Sequence, residues 1–491
     1  MDPDEPALPV PTALIEAERV VIPSCPPGTQ LEGARPPAGH EIACRDQDNR
    51  RQGPYASWDP GGNLSWIGEY HDNLPSGPWT RFHDNGVKAE QGQYGAGLRD
   101  GIWQSYSADG RFLGKSLFER GTGDEIRWYD SGVKAAEIAY SDGVRDGIAT
   151  LYDRAGRVLL RESYHAGLRH GPRLVGDRAS VAIEESYDQD VLDGPRRMYY
   201  HDHLLLDESY RGGVLDGPWR AYRQSGKLRL QGAYRAGVPH GEWIEYHGNH
   251  NKAEQGSYRR GRKVGVWTEF SEGGRIERQG SYERGLASGT FTQSAHGKEL
   301  GSFEMKNGTG TVLTWHDSGK LESKTAYVAG LPSGPCERFH ENGQRAARGR
   351  YKSGLPSGPW REWYANGRVE REVAYERGAL TGRYRQYHPS GQLAVDAHYK
   401  NGLFAGRYVE YYENGAKESQ GKYDRGRREG EWIQWFENGN ESARGNFRNG
   451  VLDGEYRSYH PNGQLESRGL YQDGQRIGRW ERYSPEGLRI E

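Results

Sequence analysis

Residues 430–454 read GEWIQWFENGNESARGNFRNGVLDG. Trp432 and Trp435 stand two and five residues after the opening glycine, and Asn438-Gly439 separates them from a second segment that ends on Phe447. Asn-Gly between two short aromatic segments signals a hairpin, because both residues tolerate positive φ in a type I′ turn. Such a turn also fixes a register. Around the equivalent Asn85-Gly86, Asp84 then faces Val87, Trp79 faces Gly92 and Gly77 faces Tyr94; around Asn414-Gly415, Tyr408 faces Gly421. Each large ring has a bare glycine across from it, and a ring over a glycine covers backbone that would otherwise be exposed.

Working outward, the opening glycine recurs at 53, 77, 101, 123, 147, 171, 194, 217, 241, 265, 289, 310, 334, 358, 382, 406, 430, 454 and 478. The step is 24 residues apart from one of 22, two of 23 and one of 21. A fixed period of this length marks stacked repeats. The expected fold is all-β: an elongated single-layer antiparallel ribbon, a solenoid of about nineteen stacked hairpins with period 24 over residues 53–491, preceded by an N-terminal cap at 1–52. An open sheet needs its edges covered, and the stretch ALIEAERVVI, residues 13–22, is the segment expected to do so. Three places depart from the pattern. The unit after Gly171 lacks both first-strand aromatics (Arg173, Gly176), the unit from Gly194 carries His201-Asp202-His203 at its tip, and the unit after Gly289 has a shortened step to Phe303. The ribbon is expected to bend or loosen there.

Only 34% of residues are hydrophobic and 71 are glycine, which excludes a thick aliphatic core, while 14 Trp, 32 Tyr and 10 Phe argue against disorder. With 66 Lys+Arg against 68 Asp+Glu the chain offers no global electrostatic case for nucleic acid. No apolar run approaches the roughly 18 residues of a membrane span. The first residues are acidic and proline-rich and do not read as a signal peptide. Cys25 and Cys44 bracket a loop of Pro, Gly and polar residues that is expected to be clasped by a disulfide, a feature of exported proteins. Export to the periplasm or cell surface, with the signal already removed, is therefore slightly favoured over the cytoplasm. Cys336, where other units hold an aromatic, reads as a small buried hydrophobe.

The pattern G-x-W-x-x-Y-x-x-N-G followed by G-x-Y-x-x-G resembles the MORN repeat (membrane occupation and recognition nexus), in the bacterial variant often labelled as a YwqK-type antitoxin. The resemblance implies single-layered antiparallel ribbons that serve as interaction scaffolds. Lipid binding is proposed for some members, and the antitoxin label implies protein binding.

No phosphate-binding glycine loop, Cys-x-x-Cys motif or Ser/His/Asp constellation stands apart from the repeat. The expectation is a non-enzymatic protein with no catalytic residues, cofactor or metal. His83, His340, His388 and His460 share the position before the turn and read as polar turn flanks. The second aromatic of each unit, three residues after the first, points to the opposite face of a regular strand. In the unbroken run from Gly334 to Tyr483 this gives a column of Trp363, Tyr387, Tyr411, Trp435, Tyr459 and Tyr483, the candidate binding residues. Trp79, Tyr94 and Tyr408, with Gly77, Gly92 and Gly421, are assigned structural roles. The expected partner is a protein, including a toxin to be sequestered. The alternatives are a membrane lipid or a cell-wall ligand caged by cation–π attraction, and self-association through open sheet ends.

Overall fold

The computed structural model describes residues 14–16, 19–21 and 24–490. The chain divides into two units, Met1–His240 and Gly241–Glu491. In each, antiparallel strands pair with their neighbours in sequence order, as in Leu74–Phe82 with Lys88–Gly95 and Arg427–Trp435 with Glu441–Arg448. Among the described residues Gln30–Ala34 pairs only with Glu41–Arg45, and Gln475–Arg482 only with Leu465–Gln472, so the sheet is open. No helix is present among them.

The pairing is the expected one, although the turns are not. Trp79 faces Gly92, Gly77 faces Tyr94 and Tyr408 faces Gly421. Yet Asn85 does not adopt positive φ. The Gly86 N–H donates to the His83 carbonyl, and the His83 N–H donates to the Val87 carbonyl, each at 2.8 Å. Asp84-Asn85-Gly86 is thus a three-residue loop whose last residue, Gly86 at φ 80°, is left-handed. Phe82 then faces Lys88 while Arg81 faces Glu90, which leaves Ala89 unpaired as a bulge. One residue more in the loop and one more in the bulge restore the register that a two-residue turn would give. The two-residue turns with positive φ at both positions lie at the other edge, between hairpins: Ala96 (49°) with Gly97 (85°), and Arg425 (46°) with Gly426 (79°).

The irregular places do not break the sheet. Gly171 pairs with Tyr187 in an unshifted ladder, and Gly194 with Tyr210 in one that bulges only at Leu205. His201 and Asp202, with φ 45° and 61°, form a two-residue turn, which explains the step of 23. Beyond Gly289 the expected third aromatic is displaced: Met305 faces Gly289, and Phe303 faces Phe291, with the rings stacked at 5.4 Å.

At the N-terminus Leu14–Glu16 pairs with Arg19–Val21 as a separate two-stranded sheet, so the described residues of this stretch pair with each other and add no strand to the main sheet; its other residues lie outside the described ones. The hairpin of Gln30–Ala34 and Glu41–Arg45 joins Arg51–Trp58, so the sheet begins inside the segment read as a cap. Cys25 and Cys44 are joined by a disulfide, with Cys44 fully buried in its strand. Cys336 is buried beside Trp360 and Val373.

Candidate binding faces

Where a first aromatic faces a glycine, as Trp79 and Trp432 do, it does not cover that glycine. In the strand Arg427–Trp435 the register shifts between Gln420↔Ile433 and Lys422↔Glu429, with Gly430 at φ 71°. This bulge turns Trp432 back over Gly421 of the preceding strand, where a Cβ would overlap its ring. The indole N–H donates to the Lys422 carbonyl at 3.1 Å, Tyr423 meets the ring edge-on at 5.0 Å, and the Arg428 guanidinium lies 4.4 Å from its centroid. Trp103 repeats the arrangement over Gly92, with Gln93, Tyr94 and Arg99 in the same places. A ring sealed beneath by glycine and above by a cation has no free face. Trp103 is 1% and Trp432 2% exposed.

In the units after Gly171 and Gly194 charge replaces that aromatic. Arg173 and Arg196 occupy the tryptophan position and Glu185 the glycine position opposite Arg173. Arg173 bonds Glu162 at 2.6 Å and Glu185 at 2.7 Å, and Arg196 bonds Glu185 at 3.1 Å and Glu208 at 2.9 Å. Trp219 completes the row by donating to Glu208 at 3.1 Å. Burial pushes the Glu185 carboxyl up, but the hydrogen bonds from Arg173, Arg196 and Tyr187 outweigh it and hold the group below its ordinary value.

The second aromatics behave differently. Trp363, Tyr387, Tyr411, Trp435, Tyr459 and Tyr483 are all half-buried, less free than a bare exposed column. Successive members stand two strands, about 9.6 Å, apart and do not stack directly. Arg345 lies 5.7 Å from the Trp363 centroid and Lys417 5.4 Å from that of Trp435. The Tyr387 hydroxyl donates to Glu372 at 3.0 Å; burial, then this bond, pushes the hydroxyl above its ordinary pKa. No glycine lies beneath this column as one lies beneath Trp432. Around Trp363 the face forms a groove of about 720 Å³ lined by arginines.

A sequence model of the MORN repeat variant matches residues 380–401 and 452–473, two hairpins of the regular run. These are MORN-type repeats. No curated protein sequence matches the chain. Solved structures that align with it include TcdB2–TccC3 without its hypervariable C-terminal region (11% identity, 92% of this chain, 29% of that chain, TM-score 0.13). Another is the Photorhabdus luminescens Tc holotoxin pore (11% identity, 94% of this chain, 29% of that chain, TM-score 0.12). The chain thus spans under a third of those structures, and at such TM-scores the likeness carries no argument.

The sequence of one hairpin does not reveal the residues that staple each repeat to the next. The Asn414 side chain accepts from the Ala416 N–H at 2.8 Å and donates to the Glu437 carbonyl of the following repeat at 2.9 Å. Asn85, Asn342, Asn366, Asn438 and Asn462 likewise donate to a carbonyl 23 residues on. The flanking histidines do the same. His340, His388 and His460 meet the carbonyls of Trp363, Tyr411 and Tyr483 at 2.6, 2.8 and 2.9 Å, and since a carbonyl only accepts, their Nε2 carries the proton. The signal was present as a residue type recurring at the turn, but a single hairpin gives it no partner. Among the described residues no cluster of three or more His, Cys, Asp or Glu is placed to hold a metal.

Proposed function

We propose that the chain is a non-enzymatic scaffold that binds a protein partner through the face bearing Trp363, Tyr387, Tyr411, Trp435, Tyr459 and Tyr483. The carrying observation is the contrast between the two ring columns. Trp432 and Trp360 are buried over glycines, whereas Trp363 and Trp435, three residues further on, are half-buried and capped only by long cationic side chains. Lysine and arginine stems leave a ring at little cost, and a partner that displaces them gains aromatic area held on a rigid sheet. Tryptophans of this kind are typical interface anchors, each costing about 2 kcal/mol or more of binding on truncation.

Each of Trp363→Ala and Trp435→Ala is therefore expected to lose about 30-fold or more in partner affinity, and the double variant roughly 1,000-fold where the losses add. Pull-down from the native cell extract, followed by affinity measurement on the captured protein, reads this directly. Unfolding is expected to shift little. Full capture by the folded double variant contradicts the assignment.

A further inference from the structure

The groove at Trp363 is lined mostly by positive charge. Arg345, Arg348, Arg350, Arg361, Arg383 and Arg385 line it, with Glu372 as the one acidic lining residue. Glu337 pairs with Arg345 and Arg348, Glu372 with Arg361 and Arg385, and Asp396 with Arg383. Six guanidinium groups meet three carboxylates, and Arg350 has no ion-pair partner among the described residues. A local excess of three positive charges stands on a chain whose net charge is −2.

The geometry points to an acidic, extended segment of a protein partner as the occupant of this groove, with Trp363 as its apolar anchor. This rests on the proposed scaffold function and adds the chemistry of the partner. The guanidiniums do not converge on one point. They are spread over a run of four neighbouring strands, from Arg345–Lys352 to Ala379–Tyr387, or roughly 14 Å at the spacing of strands. That length suits about four residues of extended chain and not a single small anion. Planar guanidiniums grip carboxylates in pairs, and those held only by a shared carboxylate can exchange it for a partner's. A nucleic-acid strand fits less well: the rings stand about 9.6 Å apart, against about 3.4 Å per nucleotide along a strand.

The test uses the full chain and a fluorescein-labelled Asp/Glu decapeptide, with an Asn/Gln decapeptide and a ten-nucleotide single strand as comparisons. The acidic peptide is expected to bind at least about 10-fold more tightly than the neutral one, and to weaken by about 10-fold as salt rises through the range that shortens the Debye length below about 8 Å. Arg348→Glu with Arg350→Glu should reduce its binding by about 10-fold or more. Arg348 is 65% exposed, so the fold should be unaffected, as circular dichroism will show. Equal binding of acidic and neutral peptides overturns the inference, as does tighter binding of the oligonucleotide. If the arginine variant keeps full affinity for the captured partner while Trp363→Ala/Trp435→Ala loses it, the charge inference fails and the scaffold reading stands. If neither variant loses partner, both fail.

Discussion

Trp432→Ala should destabilise its repeat by about 3–5 kcal/mol, whereas Trp435→Ala, in the same strand, should cost about 1 kcal/mol or less. Trp432 is 2% exposed and would leave a cavity above Gly421, between Tyr423 and Arg428. Trp435 is half-buried, with Lys417 across its face, and its removal mainly exposes a lysine stem. Because repeat stability is a sum of local and neighbour terms, the readout is amide exchange in Lys417–Asp424 and Arg427–Trp435, not a global melting temperature. Equal losses in the two variants would mean that both faces are core and that neither is reserved for a partner.

The second large effect lies in the other unit. Glu185→Ala should cost about 3 kcal/mol or more, since it removes the carboxylate between Arg173 and Arg196 and leaves two guanidiniums without it. The Glu185 side chain is 9% exposed, so water does not readily replace the lost partner. Acid should act at the same place. The folded carboxyl lies below its ordinary value of 4.5, so its contribution is fully present above that pH and is lost as pH falls through the folded value. The stretch from Gly171 to Gly217 should therefore be the first cleaved by an acid-active protease as pH drops below about 4.5. The aromatic locks at Trp103 and Trp432 do not titrate in this range. Cleavage distributed evenly over the repeats would contradict this.

The sheet was legible because a 24-residue period and facing ring–glycine pairs are properties of a hairpin, and a hairpin is local. What lay between hairpins was not. Asn-Gly suits two kinds of turn, and the register alone does not separate them, because Ala89 bulges to offset the longer loop. Counting outward from Asn85-Gly86 identifies the residue opposite Trp79, but not the bulge that turns its ring onto Gly68. The Arg173–Glu185–Arg196–Glu208 row sits on the ring and glycine positions of the same period and could have been found there. Its signal is a run of opposite charges at those positions, not a ring opposite a glycine. The candidate column was readable as a period, whereas its cationic caps and the groove charge depend on which side chains neighbouring strands bring together.

A double-mutant cycle on Trp432 tests most directly the claim that these rings lock each repeat to the strand before it. Gly421→Ala places a methyl in the Trp432 ring and should cost about 1–3 kcal/mol, much of it relieved in a Trp432→Ala background, a coupling of about 1 kcal/mol or more. Gly445, which faces Trp432 across the hairpin, has Leu452 and Tyr456 as its neighbours, so Gly445→Ala should add to Trp432→Ala without coupling. Coupling of Trp432 to Gly445 and not to Gly421 would contradict the account.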